Sequence, residues 1–139
     1  MRRPGCYILI LPLPSGFQGR IGSLGVCSLQ AGVYCYTGSA LSGLDQRLQR
    51  HLRKEKTMRW HVDRISLCAQ SPWALEFSQP YTECRLALEL EALGATPVIP
   101  GFGSSDCKCH THLFLATSEA LCGMRARSSG IFPSDHVAV

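Results

Sequence analysis

Residues 32–51 carry the sequence GVYCYTGSALSGLDQRLQRH, which predicts a strand, a glycine turn and a helix in succession. Tyr36 lies in the strand, the turn falls at Gly38, and the helix places Arg47 and His51 on one face, four residues apart. Cleavage of a phosphodiester builds negative charge on its oxygens, which a planar guanidinium can hold through two parallel hydrogen bonds. The junction therefore indicates either phosphodiester chemistry or an ordinary strand–helix unit with a surface arginine.

The length and composition are typical of one globular domain. The 139 residues are 45% hydrophobic, which suffices for a single sizeable core. The net charge of +4 is unevenly distributed, because seven basic residues lie in one strip between positions 47 and 64. Clustered lysine and arginine favour a phosphate backbone as partner, although a solvated helix face has the same composition. The nucleic-acid contacts predicted from this strip are Arg50, Arg53, Lys54 and Arg59.

The cysteines and the N-terminal segment indicate the cellular compartment of the protein. The chain has eight cysteines, and Cys6, Cys35 and Cys84 sit in apolar segments, where a reduced thiol packs as a small hydrophobe. The apolar run at 6–13 resembles a signal peptide, but prolines interrupt it and no small-x-small cleavage site follows. No run approaches the length of a membrane span. We therefore predict a reduced, cytoplasmic location and no membrane partner.

Apolar periodicity and turn residues predict the order of the elements. A continuous apolar run predicts a buried strand at 6–11, and residues 17–30 predict a loop or hairpin arm. The further predictions, in chain order, are a strand at 33–37, a helix at about 43–54, a short helix or turn at 57–65, a strand at about 65–77, a helix from Pro80 to Leu93 and a strand at 112–116. Because residues 123–139 lack periodicity, we predict a folded domain at 1–122 and a disordered tail after it.

Four short motifs follow one another along these elements. They are Gly5-Cys6-Tyr7 on the first strand, Tyr36-Thr37-Gly38 on the second, Arg47 on the next helix and Glu83 at the start of the last helix. With this order and placement the chain resembles the GIY-YIG nuclease superfamily. The resemblance implies an α/β domain of the α+β type, with a central, mainly antiparallel β-sheet flanked by helices.

A narrower resemblance covers nearly everything from Gly5 to Phe114. It rests on Gly-Ser-Ala at 38–40, Arg-Trp-His-Val-Asp at 59–63, Glu-Cys at 83–84 and GFGSSDCKCHTHL at 101–113. Together these motifs resemble the small uncharacterised branch known as the DUF123 domain.

The superfamily resemblance implies roles for the motif residues. Glu83 would bind one Mg²⁺ or Mn²⁺ ion, and Arg47 would stabilise the charge of the transition state. Tyr7 would take a proton from the attacking water, directly or through a hydrated metal ion, while Tyr36 positions the water or the phosphate. A free phenol has a pKa of about 10, so this role of Tyr7 requires a nearby cation that lowers its pKa. The alternatives are sheet packing for the tyrosines and a helix-dipole interaction for Glu83.

The implied function is a metal-dependent endonuclease that hydrolyses DNA phosphodiester bonds in DNA repair. RNA is the second candidate substrate, and a repair protein could supply the affinity that so small a domain lacks. The alternative function is a non-catalytic nucleic-acid-binding module on the same fold.

Two histidines and a cysteine–histidine segment leave further alternatives open. His51 would contact a phosphate or end the helix, and His61 would act as an auxiliary acid or substrate contact, or else hydrogen bond to Asp63. The segment at 106–112 offers the zinc ligands Cys107, Cys109, His110 and His112. Its spacing is tighter than is typical of structural zinc sites, and on an extended chain the cysteines and histidines face opposite ways. Zinc binding therefore requires a curled backbone, and a structural or substrate-facing turn or a reactive thiol are the alternatives.

Overall fold

A six-stranded antiparallel sheet forms the centre of the computed structural model, which describes residues 3–104 and 107–134. The elements in chain order are β1 (Gly5–Leu13), β2 (Phe17–Arg20), a 3₁₀ turn (Gly22–Leu24), β3 (Val26–Leu29), β4 (Gly32–Ala40), α1 (Leu44–Leu52), α2 (His61–Cys68), β5 (Trp73–Phe77), α3 (Glu83–Ala92), β6 (Thr96–Pro97), β7 (Leu113–Leu115), α4 (Ser118–Arg127) and β8 (Gly130–Phe132). The strand order is β6-β7-β4-β1-β5-β8, every neighbouring pair is antiparallel, and β2 and β3 form a separate hairpin. The predicted α+β class with a mainly antiparallel sheet is confirmed.

Strand β1 lies in the middle of the sheet and separates two apolar layers. Its sequence GCYILILPL is almost continuously apolar, as expected of a strand buried on both faces. Side chains alternate along a strand, so Tyr7 and Leu9 face one layer while Cys6 and Ile8 face the other. The layer that contains Tyr7 holds the helices α1 and α2, and the opposite layer holds α3 and α4.

Helix α1 packs through the apolar stripe that its sequence predicts. Leu44 and Leu48 are buried against the sheet, whereas Leu52 is half-buried at the helix end. Burial of a leucine side chain such as Leu48 contributes about 2 kcal/mol of hydrophobic stabilisation. None of the helices in the described ranges is long and apolar enough to cross a membrane.

The chain between α1 and β5 differs from the prediction. Residues 65–68 belong to α2, and the third long strand begins only at Trp73. The helix extends because Val62, Ile65 and Ser66 are buried at helical spacing. The predicted turn at Gly38 is also displaced: β4 runs through Gly38 to Ala40, and the turn follows at residues 41–43.

The C-terminal part differs from the predicted disordered tail. Helix α4 continues to Arg127, and β8 pairs with β5, so the ordered fold passes the predicted boundary at residue 122. Ala120 and Met124, one helical turn apart, bury the inner side of α4 against the layer of α3. Two apolar residues are too few to show a helical periodicity in the sequence, so the pattern did not predict this helix. Residues 135–139 lie outside the described residues.

Candidate functional site

A polar pocket of about 390 Å³ opens where β1, β4, α1 and α3 meet. Its lining includes the four residues predicted from the motifs: Tyr7, Tyr36, Arg47 and Glu83. Arg59 and His61 also line it, whereas His51 lies behind it. The structure thus brings together residues that are up to 76 positions apart in the sequence (7 to 83).

The two tyrosines meet through the register of β1 and β4. Tyr7 pairs with Gly38, and Leu9 pairs with Tyr36, so the tyrosines are diagonal neighbours on one face of the sheet. Their ring centroids are 6.5 Å apart. The placement of Tyr7 on the strand adjacent to Tyr36 follows the prediction.

Gly38 is needed because the ring of Tyr7 crosses the backbone at that point. A Cβ atom at Gly38 would lie 2.5 Å from the Tyr7 hydroxyl oxygen and 2.6 Å from Cζ. Those distances are far shorter than van der Waals contact. The glycine of the second motif therefore lets Tyr7, the tyrosine of the first motif, lie flat across β4.

We expect Gly38→Ala to destabilise the domain by about 1–3 kcal/mol, the usual cost of overpacking a filled core. Urea unfolding measures this change. Gly19→Ala, in the hairpin strand β2, is the matched control, because its Cβ would meet only the Phe17 ring, at 3.3 Å. Equal stability changes for the two variants would contradict the contact between Gly38 and Tyr7.

Arg47 is fixed in the pocket by two contacts. Its Nη1 donates a hydrogen bond to the Ser39 carbonyl oxygen at 3.0 Å, and its guanidinium carbon lies 4.5 Å from the Trp60 ring centroid. A cation over an indole face is attracted by the ring quadrupole. These contacts orient the guanidinium before any ligand arrives.

Glu83 is the first residue of α3, where the positive end of the helix dipole stabilises a carboxylate. Its Oε1 accepts a hydrogen bond from Ser39 Oγ at 3.2 Å. Ser39 therefore contacts both charged groups of the pocket, Arg47 through its carbonyl and Glu83 through its hydroxyl. We call this arrangement the Ser39 bridge. The alternative role of Glu83 as a partner of the helix dipole is compatible with its place in the pocket.

Ser39 and Trp60 are functional candidates that the sequence interpretation missed. Ser39 follows directly after the second motif, and Trp60 lies in the segment 59–63, so both occur in stretches that carried the resemblance. Trp60 contacts three guanidinium groups, with Arg50 at 4.3 Å and Arg59 at 5.0 Å from its centroid besides Arg47. The resemblance thus included the stretches that contain both residues, but nothing in a single sequence shows which arginines converge on one indole.

His51 is buried behind Tyr7 and is not available to a phosphate. Only 1% of its surface is exposed, and its Nε2 lies 2.7 Å from the Tyr7 hydroxyl oxygen. Burial, reinforced by the charge of Lys56, lowers the pKa of His51 to about 3, so the imidazole is neutral. Of the two predicted roles, a direct phosphate contact is excluded by this burial. His51 instead positions Tyr7.

We expect the free energy of unfolding to fall as the pH is lowered from 6.5, the ordinary pKa of histidine. The unfolded chain takes up a proton at His51 near that pH, whereas the folded chain does so only near pH 3, so acid favours unfolding. Urea unfolding between pH 6.5 and about 5.5, above the ordinary pKa values of aspartate and glutamate, measures the effect. His51→Gln should reduce the dependence, the remainder coming from His112, whose pKa burial also lowers, and His110→Gln, at an exposed histidine, should retain it in full. An unaltered dependence in His51→Gln would contradict the burial argument.

Both pocket tyrosines are phenols rather than phenolates near neutral pH. Burial raises the pKa of Tyr7 well above its ordinary range, with a further increase from Tyr36, and Arg47 offsets only part of this. Burial and the charge of Glu83 raise the pKa of Tyr36 to about 12. The residues of the chain alone therefore do not lower the pKa of Tyr7 as a proton-accepting role requires.

The members of the basic strip differ in whether their side chains hydrogen bond within the domain. Arg50 donates two hydrogen bonds of 3.0 Å to the carboxylate of Asp63, which has no exposed surface. Lys54 Nζ donates to the carbonyl oxygens of Ser66 and Ala69 at the end of α2. Arg53 and Arg59 are exposed. Two of the four predicted nucleic-acid contacts, Arg50 and Lys54, thus hydrogen bond within the domain, although Lys54 is also exposed.

His61 lies at the pocket, at the first position of α2. Its predicted alternative, a hydrogen bond to Asp63, does not occur among the described residues. Asp63 instead accepts hydrogen bonds from Arg50 and from the backbone N–H groups of Arg59 and Trp60. His61 therefore remains a candidate pocket group.

A second group of side chains lies beside the pocket, formed by Cys84, Cys107, Cys109 and His112. Their ligand atoms all lie within 4.8 Å of one another. The predicted set differs by one member: His110 is exposed and takes no part, and Cys84 of α3 occupies the fourth position. The backbone curls, as was predicted to be necessary for these side chains to meet at one point. Asp106 lies outside the described residues, and all eight cysteines are free thiols.

The fold and the site together define a small α+β domain whose pocket combines two phenols, a guanidinium and a carboxylate. The family model of DUF123, described as a domain of unknown function, matches residues 6–129, and the chain belongs to this family. No curated protein and no solved structure matches it at a significant level.

Proposed function

We propose that this domain is a metal-dependent endonuclease of the GIY-YIG type that hydrolyses DNA phosphodiester bonds in DNA repair. The observation that carries the proposal is the Ser39 bridge, which holds Arg47 and Glu83 in one pocket with Tyr7 and Tyr36. A guanidinium suited to a phosphate and a carboxylate suited to a metal ion are thereby close enough to act on one substrate.

The surroundings of Glu83 fit a hard divalent cation. Among the described residues its carboxylate accepts a hydrogen bond only from Ser39 and forms no ion pair, so lone pairs remain for a ligand. One carboxylate with several waters is a common binding mode of Mg²⁺, and Mn²⁺ accepts similar oxygen ligands. When bound there, either ion would supply positive charge to a phosphate oxygen.

The residues of the chain itself perform three tasks in this proposal. Arg47, oriented by Ser39 and Trp60, binds the phosphate oxygens and stabilises their growing charge. Tyr7, held by His51, accepts a hydrogen bond from the attacking water at its hydroxyl oxygen and so orients that water, whose proton passes to a neighbouring solvent water. Tyr36, beside Tyr7, positions the phosphate or the water. Tyr7 takes up that proton itself only in its scarce phenolate form, because its raised pKa keeps it a phenol near neutral pH.

The same raised pKa favours a second candidate function. A domain whose tyrosines stay protonated and whose Arg47 binds phosphate would act as a non-catalytic nucleic-acid-binding module. The two functions share the pocket and differ in whether the phosphodiester is cut.

DNA is the proposed partner because exposed Arg53 and Arg59 offer contacts for a phosphate backbone, and Arg59 lines the pocket itself. RNA is the alternative nucleic acid. With so few free basic residues, a repair protein is the proposed source of additional affinity. We also propose that the protein is located in the cytoplasm.

Incubation with branched, flapped and abasic DNA in Mg²⁺ or Mn²⁺ tests the proposal. We expect cleavage products from at least one substrate, and none when a chelator removes the divalent ion. Tight binding of these substrates without cleavage in either metal would favour the binding module. Absence of both binding and cleavage would overturn both functions.

A further inference from the structure

The loop between β6 and β7 curls so that its cysteines meet α3. The Gly101 N–H donates to the His110 carbonyl oxygen at 2.7 Å, and the His112 N–H donates to the Phe102 carbonyl oxygen at 2.8 Å. These bonds close the loop on itself at its base. Cys107 and Cys109 are thereby carried to Cys84, the second residue of α3.

His112 is fixed in an orientation suited to a metal ligand. Its Nδ1 lies 2.5 Å from Thr37 Oγ1, and its carbonyl oxygen accepts the Thr37 N–H at 3.0 Å. The ring is buried, and its other nitrogen, Nε2, lies 3.1 Å from Cys107 Sγ. Histidines that bind metals commonly use their second nitrogen in such a bond, which fixes the ring and its tautomer. Thr37 supplies this second bond.

We propose that Cys84 Sγ, Cys107 Sγ, Cys109 Sγ and His112 Nε2 bind one structural Zn²⁺ ion. Three thiolates and an imidazole form a closed four-ligand set typical of structural zinc. A zinc–sulfur distance of about 2.3 Å puts the sulfurs of a tetrahedron about 3.8 Å apart, within the 4.8 Å span of these atoms. The thiols release their protons to solvent as the ion binds. Soft sulfur ligands distinguish this site from the oxygen site at Glu83.

A zinc ion bound by these four residues would stabilise one wall of the polar pocket. Cys84 directly follows Glu83, and Cys107 lines the pocket. The same loop carries Phe102, whose ring centroid lies 5.9 Å from that of Tyr36, and Gly103, where a Cβ would come within 2.9 Å of the Tyr36 ring. A zinc ion would thus hold the loop against both Glu83 and Tyr36. The proposal stands on the four ligands and does not depend on nuclease activity.

Metal analysis of the full chain, purified with a reductant and without added chelator, tests the proposal. We expect one zinc ion per chain, which survives dialysis against Mg²⁺ and is released when a mercurial reagent modifies the thiols. Substitution by cobalt(II) should give the thiolate charge-transfer absorption of a tetrahedral sulfur site. Zinc at trace level in folded protein with all thiols reduced, or stoichiometric iron instead, would overturn the proposal.

Single substitutions locate the ion. Cys84→Ser, Cys109→Ser and His112→Ala should lose the bound zinc, whereas His110→Ala and Cys122→Ser, at exposed positions outside the ligand set, should keep it. Because a ligand variant could fail to fold, the metal content and cobalt spectrum of the unaltered chain decide the question independently. Full zinc retention in folded Cys84→Ser and Cys109→Ser, or a disulfide between two of the four residues in the purified chain, would contradict the assignment.

Discussion

Arg47→Ala is expected to slow DNA cleavage by about 10²–10³-fold, the usual loss when one donor to a transition-state oxygen is removed. The guanidinium is oriented in advance by the Ser39 carbonyl and the Trp60 ring, so little reorganisation accompanies its action. Cleavage rates at saturating DNA and divalent ion measure the effect. Arg47→Lys should recover only a small part of the rate, because an ammonium cannot form two parallel hydrogen bonds to phosphate.

The matched control for this prediction is Arg64→Ala. Arg64 is an exposed arginine of α2 that belongs to the same basic strip but does not line the pocket. It should leave the cleavage rate close to that of the unaltered protein. If Arg47→Ala and Arg64→Ala slowed cleavage equally while both variants remained folded, Arg47 would contribute only to the overall positive charge of the domain.

Asp63→Ala is expected to lower the free energy of unfolding by about 3–5 kcal/mol, as is typical when one partner of a buried ion pair is removed. Asp63 has no exposed surface, and Arg50, which it pairs at 3.0 Å, has only 17% of its side chain exposed. The substitution also leaves the Arg59 and Trp60 N–H groups without their acceptor. Urea unfolding at neutral pH measures the loss, with Glu55→Ala, at an exposed carboxylate of the same segment, as the control.

This stabilisation should depend on pH. Burial by itself raises the pKa of Asp63, but the hydrogen bonds from Arg50 and the two backbone N–H groups outweigh it, so the folded-state pKa lies below the ordinary 3.8. The contribution of Asp63 is therefore fully present above that value and is lost as the pH falls through the folded-state pKa. A stability difference between the unaltered chain and Asp63→Ala that stays constant down to strong acid would contradict this account.

The sequence allowed prediction of the parts of the site that depend on local pattern. The motif order and the resemblance that rests on it predicted Tyr7 and Tyr36 on two strands of one site, and helical spacing predicted Arg47 on the helix that follows. The buried stripe of α1 was predictable for the same reason. The class of the fold was implied by the family resemblance that these motifs carry in this order.

The remaining parts depend on contacts between distant segments. Cys84 joins Cys107 and Cys109 only because the loop before β7 folds onto α3, which no spacing within 106–112 reveals. Arg50 and Lys54 looked like a solvated basic strip, yet their partners are Asp63 and the end of α2. Helix α4 was missed because only two of its residues are buried.

The protonation states of Tyr7 and His51 could not be predicted from the sequence either. Both residues were predicted from the sequence as site candidates, Tyr7 on the first strand and His51 in the junction at 32–51, but their hydrogen bond and their burial set the protonation of each. A neutral His51 and a protonated Tyr7 favour positioning of a water over direct proton abstraction. Only the packed structure distinguishes these two roles.

The most direct test of the central claim compares the unaltered protein with Glu83→Gln on one labelled DNA substrate with a branch or flap. The account predicts cleavage by the unaltered protein in Mg²⁺ or Mn²⁺, and loss of cleavage in Glu83→Gln while both proteins stay folded and bind the DNA. Glu91→Gln, at an exposed glutamate of the same helix, should cleave normally. Undiminished cleavage by Glu83→Gln, or cleavage that persists without any divalent ion, would contradict the account.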